Sequence, residues 1–220
     1  VDRDIDMKVA RTRSRPIPSG QVTAKEALYF LIAQTLLASV ILFQFNRFTV
    51  WACVASLVLV AIYPFMKRIT WWPQFFLGLA FSWGALVGWT SQTGGLGWAP
   101  VLLYAGTILW VIGYDTIYAL QDVEDDALVG VKSTARLFGA NVRIAVSALY
   151  AGAFVLWNIA SLAAGGSWLF ATLSLVPAGL LAWQLYTLDA EAPNNPLIRF
   201  KNNHYVGIAM TLALLAEWVW

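Results

Sequence analysis

Gly113-Tyr114-Asp115-Thr116-Ile117-Tyr118-Ala119-Leu120-Gln121-Asp122-Val123-Glu124-Asp125-Asp126 closes an apolar run that begins near Ala99. The run is long enough to cross the hydrocarbon core of a bilayer as a helix, which takes roughly twenty residues. It ends in a dense cluster of acids. A helix continued through the stretch carries Asp115, Asp122 and Asp126 on one face, at i, i+7 and i+11. Like charges stacked in this way repel, so the arrangement requires a compensating cation. The only comparable cluster is Asp2, Asp4 and Asp6.

The rest of the chain has the same character. Of its 220 residues, 60% are apolar, 12% are charged and twelve are tryptophan. This composition lies outside that of water-soluble domains and describes an all-α polytopic membrane protein. The single cysteine, Cys53, lies in an apolar run and reads as a buried, inert thiol, so no disulfide framework or cysteine metal site is available. The single histidine, His204, excludes a multi-histidine site within this chain. The sequence opens directly on the charged stretch Val1-Asp2-Arg3-Asp4.

Seven spans follow from the apolar runs, at about residues 27–45, 49–65, 73–89, 99–120, 144–164, 168–188 and 205–220. Thr23 and Glu26 have the spacing of a capping box opening the first span. Residues 130–136 read as a turn followed by a short helix. With seven spans, one side of the membrane receives residues 1–26, 66–72, 121–143 and 189–204. That side collects thirteen of the fourteen Lys and Arg residues, leaving Arg47 opposite, and ten of the twelve acids, with Asp115 near it in the fourth span and Glu217 opposite. So clean a sorting supports the span count and puts both acidic clusters on the cytoplasmic face.

Asp2 and Asp6 are spaced i, i+4, as are Asp122 and Asp126, so each pair presents two carboxylates one helical turn apart. Hard divalent cations such as Mg²⁺ are held by one or two such carboxylates together with water and substrate phosphates. The two pairs are therefore expected to face one another across a metal-bound diphosphate. Asp115 lies towards the membrane, where an acid is costly and usually functional. Lys8, Arg11, Arg13 and Arg15 follow the first pair, and Lys132 and Arg136 follow the second. Arginine grips phosphate oxygens bidentately, whereas lysine acts as a point charge. Lys67-Arg68 closes the second span on the same face. Tyr114 and Tyr118, one turn apart beside Asp115, read either as substrate or carbocation contacts or as part of an interfacial tyrosine belt.

VDRDIDMKVARTRSRPIPSG (residues 1–20), YPFMKR (63–68), YDTIYALQDVEDD (114–126), GVKSTARLFG (130–139) and NNHYVG (202–207) together resemble the UbiA superfamily of intramembrane aromatic prenyltransferases. The resemblance covers essentially the whole chain, read as one domain over residues 1–220. It implies a bundle of nine membrane helices around a central cavity, capped on the cytoplasmic side, of which about seven are expected here. The family's first motif has the form NDxxDxxxD, and only its last two acids, Asp2 and Asp6, are present. The chain is accordingly expected to lack the first helix and most of the second. The resemblance implies Mg²⁺ held by Asp2, Asp6, Asp122 and Asp126. It assigns diphosphate contacts to Arg11, Arg15 and Lys67, with Lys132 as a further cation, and makes Arg68 a candidate partner for an aromatic acid's carboxylate. Asp115 orients the second motif or the acceptor, and Tyr114 and Tyr118 are candidate acceptor contacts.

The implied reaction moves a polyprenyl group from polyprenyl diphosphate to the ring carbon ortho to the hydroxyl of 4-hydroxybenzoate, in ubiquinone biosynthesis. Homogentisate, a naphthoate, haem or a chlorophyllide are alternative acceptors. From a different class, an ion-coupled transporter would use its intramembrane acid for protons or ions. Such a protein more often interrupts its helices and places its site at the midplane, whereas these acids gather at one face. The expected setting is a bacterial inner membrane, with the mitochondrial inner membrane as the alternative. Membrane lipid is an expected partner and nucleic acid is not.

Overall fold

A computed structural model describes Met7 and residues 12–219, apart from the side chain of Trp218. Asp2, Asp6 and Arg11 lie outside the described residues. Within them the chain forms α1 (Ala24–Leu42), α2 (Arg47–Ile69), α3 (Pro73–Phe81), α4 (Gly84–Thr93) and α5 (Trp98–Ala119). A 3₁₀ turn (Leu120–Asp122) leads to the short helices α6 (Val123–Leu128) and α7 (Thr134–Phe138). There follow α8 (Val142–Ala163), α9 (Trp168–Leu173), α10 (Leu175–Tyr186), α11 (Asn195–Lys201) and α12 (Asn203–Val219). No strand occurs among the described residues.

The seven passes anticipated from the sequence are present, and five segments are individually long and apolar enough to cross a bilayer. The other two are shorter. The third pass is divided into α3 and α4, of 9 and 10 residues, and α12 has 17. At the first division Ala85 N–H bonds to Ser82 O and Leu86 N–H to Trp83 O, an i→i+3 pattern that tightens one turn before the helix resumes. The Trp83 indole also donates to Ala52 O of α2 at 2.9 Å. The sixth pass divides at Ser174. Pro177 has no N–H for the carbonyl four residues back, and the fully buried Ser174 hydroxyl pairs with Asn158 of α8.

The capping box forms as anticipated: Glu26 N–H bonds to Thr23 Oγ1 at 3.2 Å, and Thr23 N–H bonds to Glu26 Oε2 at 2.8 Å. Two contacts support the sidedness read from charge. Asn46, in the turn after α1, donates to Thr90 O near the end of α4 at 2.8 Å. Glu217 accepts from Ser167 N–H, from the Ser167 hydroxyl and from Phe170 N–H, so the one acid on the far side caps the start of α9. Cys53 is half-buried rather than buried, because α2 presents much of its length to lipid.

The core lies where α5, α8, α10 and α12 meet, around Ile117, Tyr150, Trp157, Leu181 and Val206. Lipid tails are as apolar as leucine, so close packing and interhelical hydrogen bonds hold such helices together. Both operate here. A Cβ at Gly106 of α5 would lie 2.9 Å from Trp157 Cδ1, and one at Gly113, two turns on, would enter the Tyr150 ring. These two glycines let α8 approach the α5 backbone. Deeper still, the Trp110 indole donates to Asn203 Oδ1 at 2.8 Å, and Asn203 Nδ2 and Tyr150 O–H both reach Gln184 Oε1. One buried polar node thus ties all four helices.

Gly113→Val should therefore lower stability by about 1–3 kcal/mol through overpacking. Gly179→Ala, with nothing within 4 Å of the added carbon, should leave stability unchanged or slightly raised. Melting temperatures of the detergent-solubilised variants check both.

Candidate active site

At its acidic end α5 departs from a regular helix. It stops at Ala119 and tightens through the 3₁₀ turn Leu120–Asp122, and α6 follows with Asp122 at φ −114°, ψ 6°. The segment nevertheless stays helical from Trp98 to Leu128. All three acids grouped by the helical spacing line one cavity of about 350 Å³. Glu124 and Asp125 are exposed and line a separate cleft with Glu191.

Opposite the acids, the cavity wall comes from the end of α2 and the start of α3. Tyr63 and Lys67, one turn apart, line it together with Pro64, and Gln74 follows from α3. Tyr118 and Lys132 complete it. Lys132 is committed in part to structure, because its Nζ donates to Ile69 O at 3.0 Å and its N–H to Lys67 O at 2.9 Å. A cation there also suits the carbonyl end of α2.

The segment 129–134 is held tightly. Gly130, at φ 74°, takes the left-handed conformation that ends α6, and Val131 N–H returns to Asp126 O at 2.9 Å. Arg136 reaches Val131 O and Asp126 O, with its guanidinium 5.3 Å from the Trp71 ring centroid. Thr134 N–H bonds to Gln74 Oε1 at 3.0 Å, and the Thr134 and Thr116 hydroxyls lie 2.6 Å apart. Thr116 also donates to Ile112 O at 2.6 Å. Its only proton is thereby used, so Thr134 is the donor between the two hydroxyls.

The remaining anticipated residues are placed as follows. Arg15 and Arg68 are exposed, and Arg68 is absent from the described lining of the acid cavity. Tyr114 also stands apart from that lining. It packs between Trp110 and Phe200, with ring centroids 5.4 and 5.6 Å away, while Tyr118 meets Phe200 at 4.6 Å. Phe200, from α11, is thus a backing for the tyrosine pair that sequence reasoning missed. Tyr63 and Gln74 were missed too. The i, i+4 spacing of Tyr63 to Lys67 could have flagged the first, and a lone amide opening an apolar helix the second.

Among the described residues, no three of His, Cys, Asp and Glu converge to hold a metal. Asp122 and Asp126 supply two hard oxygen ligands without soft competitors, a donor set that fits Mg²⁺ sharing its coordination with water and phosphate.

Residues 1–215 match the UbiA prenyltransferase family. The chain belongs to that family. It is 43% identical over 220 residues to a protein of Aedes aegypti named 4-hydroxybenzoate polyprenyltransferase, mitochondrial, covering 97% of this chain and 49% of that protein. A protein of the same name from Dictyostelium discoideum is 44% identical, covering 98% of this chain and 47% of its own length. The chain thus spans about half the length of these relatives. Among solved structures, the apo structure of a UbiA homolog from Aeropyrum pernix K1 superposes with a TM-score of 0.81 at 25% identity, covering 99% of this chain and 81% of that one. A structure of digeranylgeranylglyceryl phosphate synthase shares the fold, with a TM-score of 0.66 at 20% identity, over 98% and 77% of the two chains.

Thr116→Val would leave the fully buried Thr134 hydroxyl without its acceptor, and is expected to cost about 1–3 kcal/mol. The exposed Glu124→Gln should change stability by less than about 0.5 kcal/mol. Thermal denaturation in detergent distinguishes the two.

Proposed function

We propose that this chain carries the catalytic face of a Mg²⁺-dependent 4-hydroxybenzoate polyprenyltransferase. The observation that carries the reading is one cavity, at the cation-rich end of the bundle, lined by Asp115, Asp122, Asp126, Lys67 and Lys132. The names of the relatives at about 40% identity support the acceptor and the donor class. Residues 1–220 form one prenyltransferase membrane domain in this reading.

Asp122 and Asp126, with Asp2 and Asp6 from the first cluster, would hold Mg²⁺, which when bound supplies positive charge against the donor's diphosphate. Lys67, Lys132, Arg11 and Arg15 stabilise the negative charge that grows on the diphosphate as its bond to the allylic carbon breaks. The apolar helices keep water from the allylic cation so formed. The ring carbon ortho to the acceptor's hydroxyl bonds to that cation and then loses its proton. Asp115 orients the acceptor, Arg68 meets its carboxylate, and Tyr114 and Tyr118, backed by Phe200, give an aromatic wall that favours a cation. The polyprenyl tail lies among the apolar helices.

The compartment in this reading is an inner membrane, with the acid-lined face on the positively charged side. The bacterial membrane anticipated from the sequence stands beside the mitochondrial one in the relatives' names.

Membranes containing the protein at its native length, given labelled 4-hydroxybenzoate, a polyprenyl diphosphate and Mg²⁺, should yield a lipid-soluble labelled product. Homogentisate and a naphthoate should yield far less. Asp122→Asn and Asp126→Asn should each lower the rate by about a hundredfold or more. Wild-type rates in these variants would overturn the metal assignment.

A further inference from the structure

Gln74 lies outside both acidic clusters and is only 5% exposed. It is the second residue of α3, directly after Pro73. A buried amide at a membrane boundary must have its polar atoms paired to be tolerated. Its orientation is fixed by chemistry: the facing Thr134 N–H can only donate, so the atom 3.0 Å away is Oε1. The Nε2 end is therefore turned away from the loop. It belongs to the wall of the cavity that contains Asp115, whose carboxylate is the acceptor within its reach.

The loop that Gln74 holds is no ordinary connection. Thr134 is anchored a second time by Thr116 of α5, and both threonines are fully buried. The same segment carries Val131, whose N–H binds Asp126 O, and Lys132, whose N–H binds Lys67 O. Any shift of the loop therefore moves the backbone of a carboxylate and of a cation that line the cavity. Gln74 joins this loop to a third lining residue, Asp115, across the gap between α3 and α5.

We propose that Gln74 is a positioning residue of the transfer reaction: its oxygen holds the 129–134 loop, and with it Asp126 and Lys67, while its amide nitrogen holds Asp115. A single side chain then keeps the metal-binding and acceptor-binding parts of the cavity in register. The inference rests on the prenyltransferase reading above.

Two variants separate the two ends of the amide. Gln74→Met removes both contacts at nearly constant length. Gln74→Glu retains an oxygen for Thr134 N–H but loses the donor towards Asp115. In the protein at its native length, Gln74→Met should raise both the Mg²⁺ concentration for half-maximal activity and the KM for 4-hydroxybenzoate by about tenfold or more. Gln74→Glu should restore the Mg²⁺ dependence to within about twofold of wild type while the acceptor KM stays raised, a split that general loss of packing would not produce. If Gln74→Met does not accumulate in membranes, the Gln74→Glu split alone decides the matter. Unchanged Mg²⁺ dependence and acceptor KM, or equal effects of the two variants on both, would overturn the proposal. The metal arm is also read without turnover, as the Mg²⁺ concentration giving half of the pyrophosphate-dependent rise in melting temperature. A wild type that transfers no prenyl group thus counts against the proposed function, while that shift still decides the role of Gln74.

Discussion

Gathering Asp115, Asp122 and Asp126 around one cavity at the end of a membrane helix is electrostatically costly, and much of the cation-rich face is organised around that cost. Lys67 and Lys132 enter the same cavity from a different helix and from a loop. Arg136 is drawn to the carbonyl of Asp126 and that of Val131. The backbone between the second acid pair and α7 is tied at four points, to Asp126, Lys67, Gln74 and Arg136. Like charges held in so constrained a frame cannot separate to relieve their repulsion. They are suited to a ligand that brings cations with it and bridges the carboxylates, as a metal-bound diphosphate does.

That frame depends on the bundle beneath it. The close approach of α8 to Gly106 and Gly113 places α5 firmly, and α5 carries all three acids, or the turn that leads to them. The buried node of Trp110, Asn203, Gln184 and Tyr150 then brings the last helices against the same face of α5. Its effect reaches the site through rings: Trp110 touches Tyr114, Tyr114 touches Phe200, and Phe200 touches Tyr118 at the cavity wall. Both divisions of the long passes make contacts within this packing. At Ser174 the break is met by Asn158 of α8, whereas at Ser82 the tightened turn leaves a buried hydroxyl without a partner among the described residues; the acid cavity is lined by neither serine.

Much of this architecture was legible in the residues alone. Seven apolar runs, the segregation of thirteen of fourteen cations to one side, and the Thr23–Glu26 cap are local or compositional signals, and bilayer thickness turns them directly into spans. Asp115, Asp122 and Asp126 were legible as a set because helical spacing already groups them. Lys67 and Lys132 entered through their charge. Tyr63, Gln74 and Phe200 did not, since nothing in the sequence says which helix faces which.

A helical membrane protein of seven passes, with nearly all its acids and cations on one face, follows from the order of residues alone, because water and lipid sort residues by chemistry without reference to their partners. The fold adds that α5 tightens into a 3₁₀ turn at Leu120–Asp122 and that its acids share one cavity with Lys67 of α2, Gln74 of α3 and Lys132 of the following loop. It alone joined Gln74 of α3 to Thr134 across 60 positions and Trp110 to Asn203 across 93. The physical reason is that hydrogen bonds and ring contacts between helices depend on how the helices are rotated and how closely they approach. Those quantities are settled by two glycines and a few buried polar groups acting together, which no local pattern records.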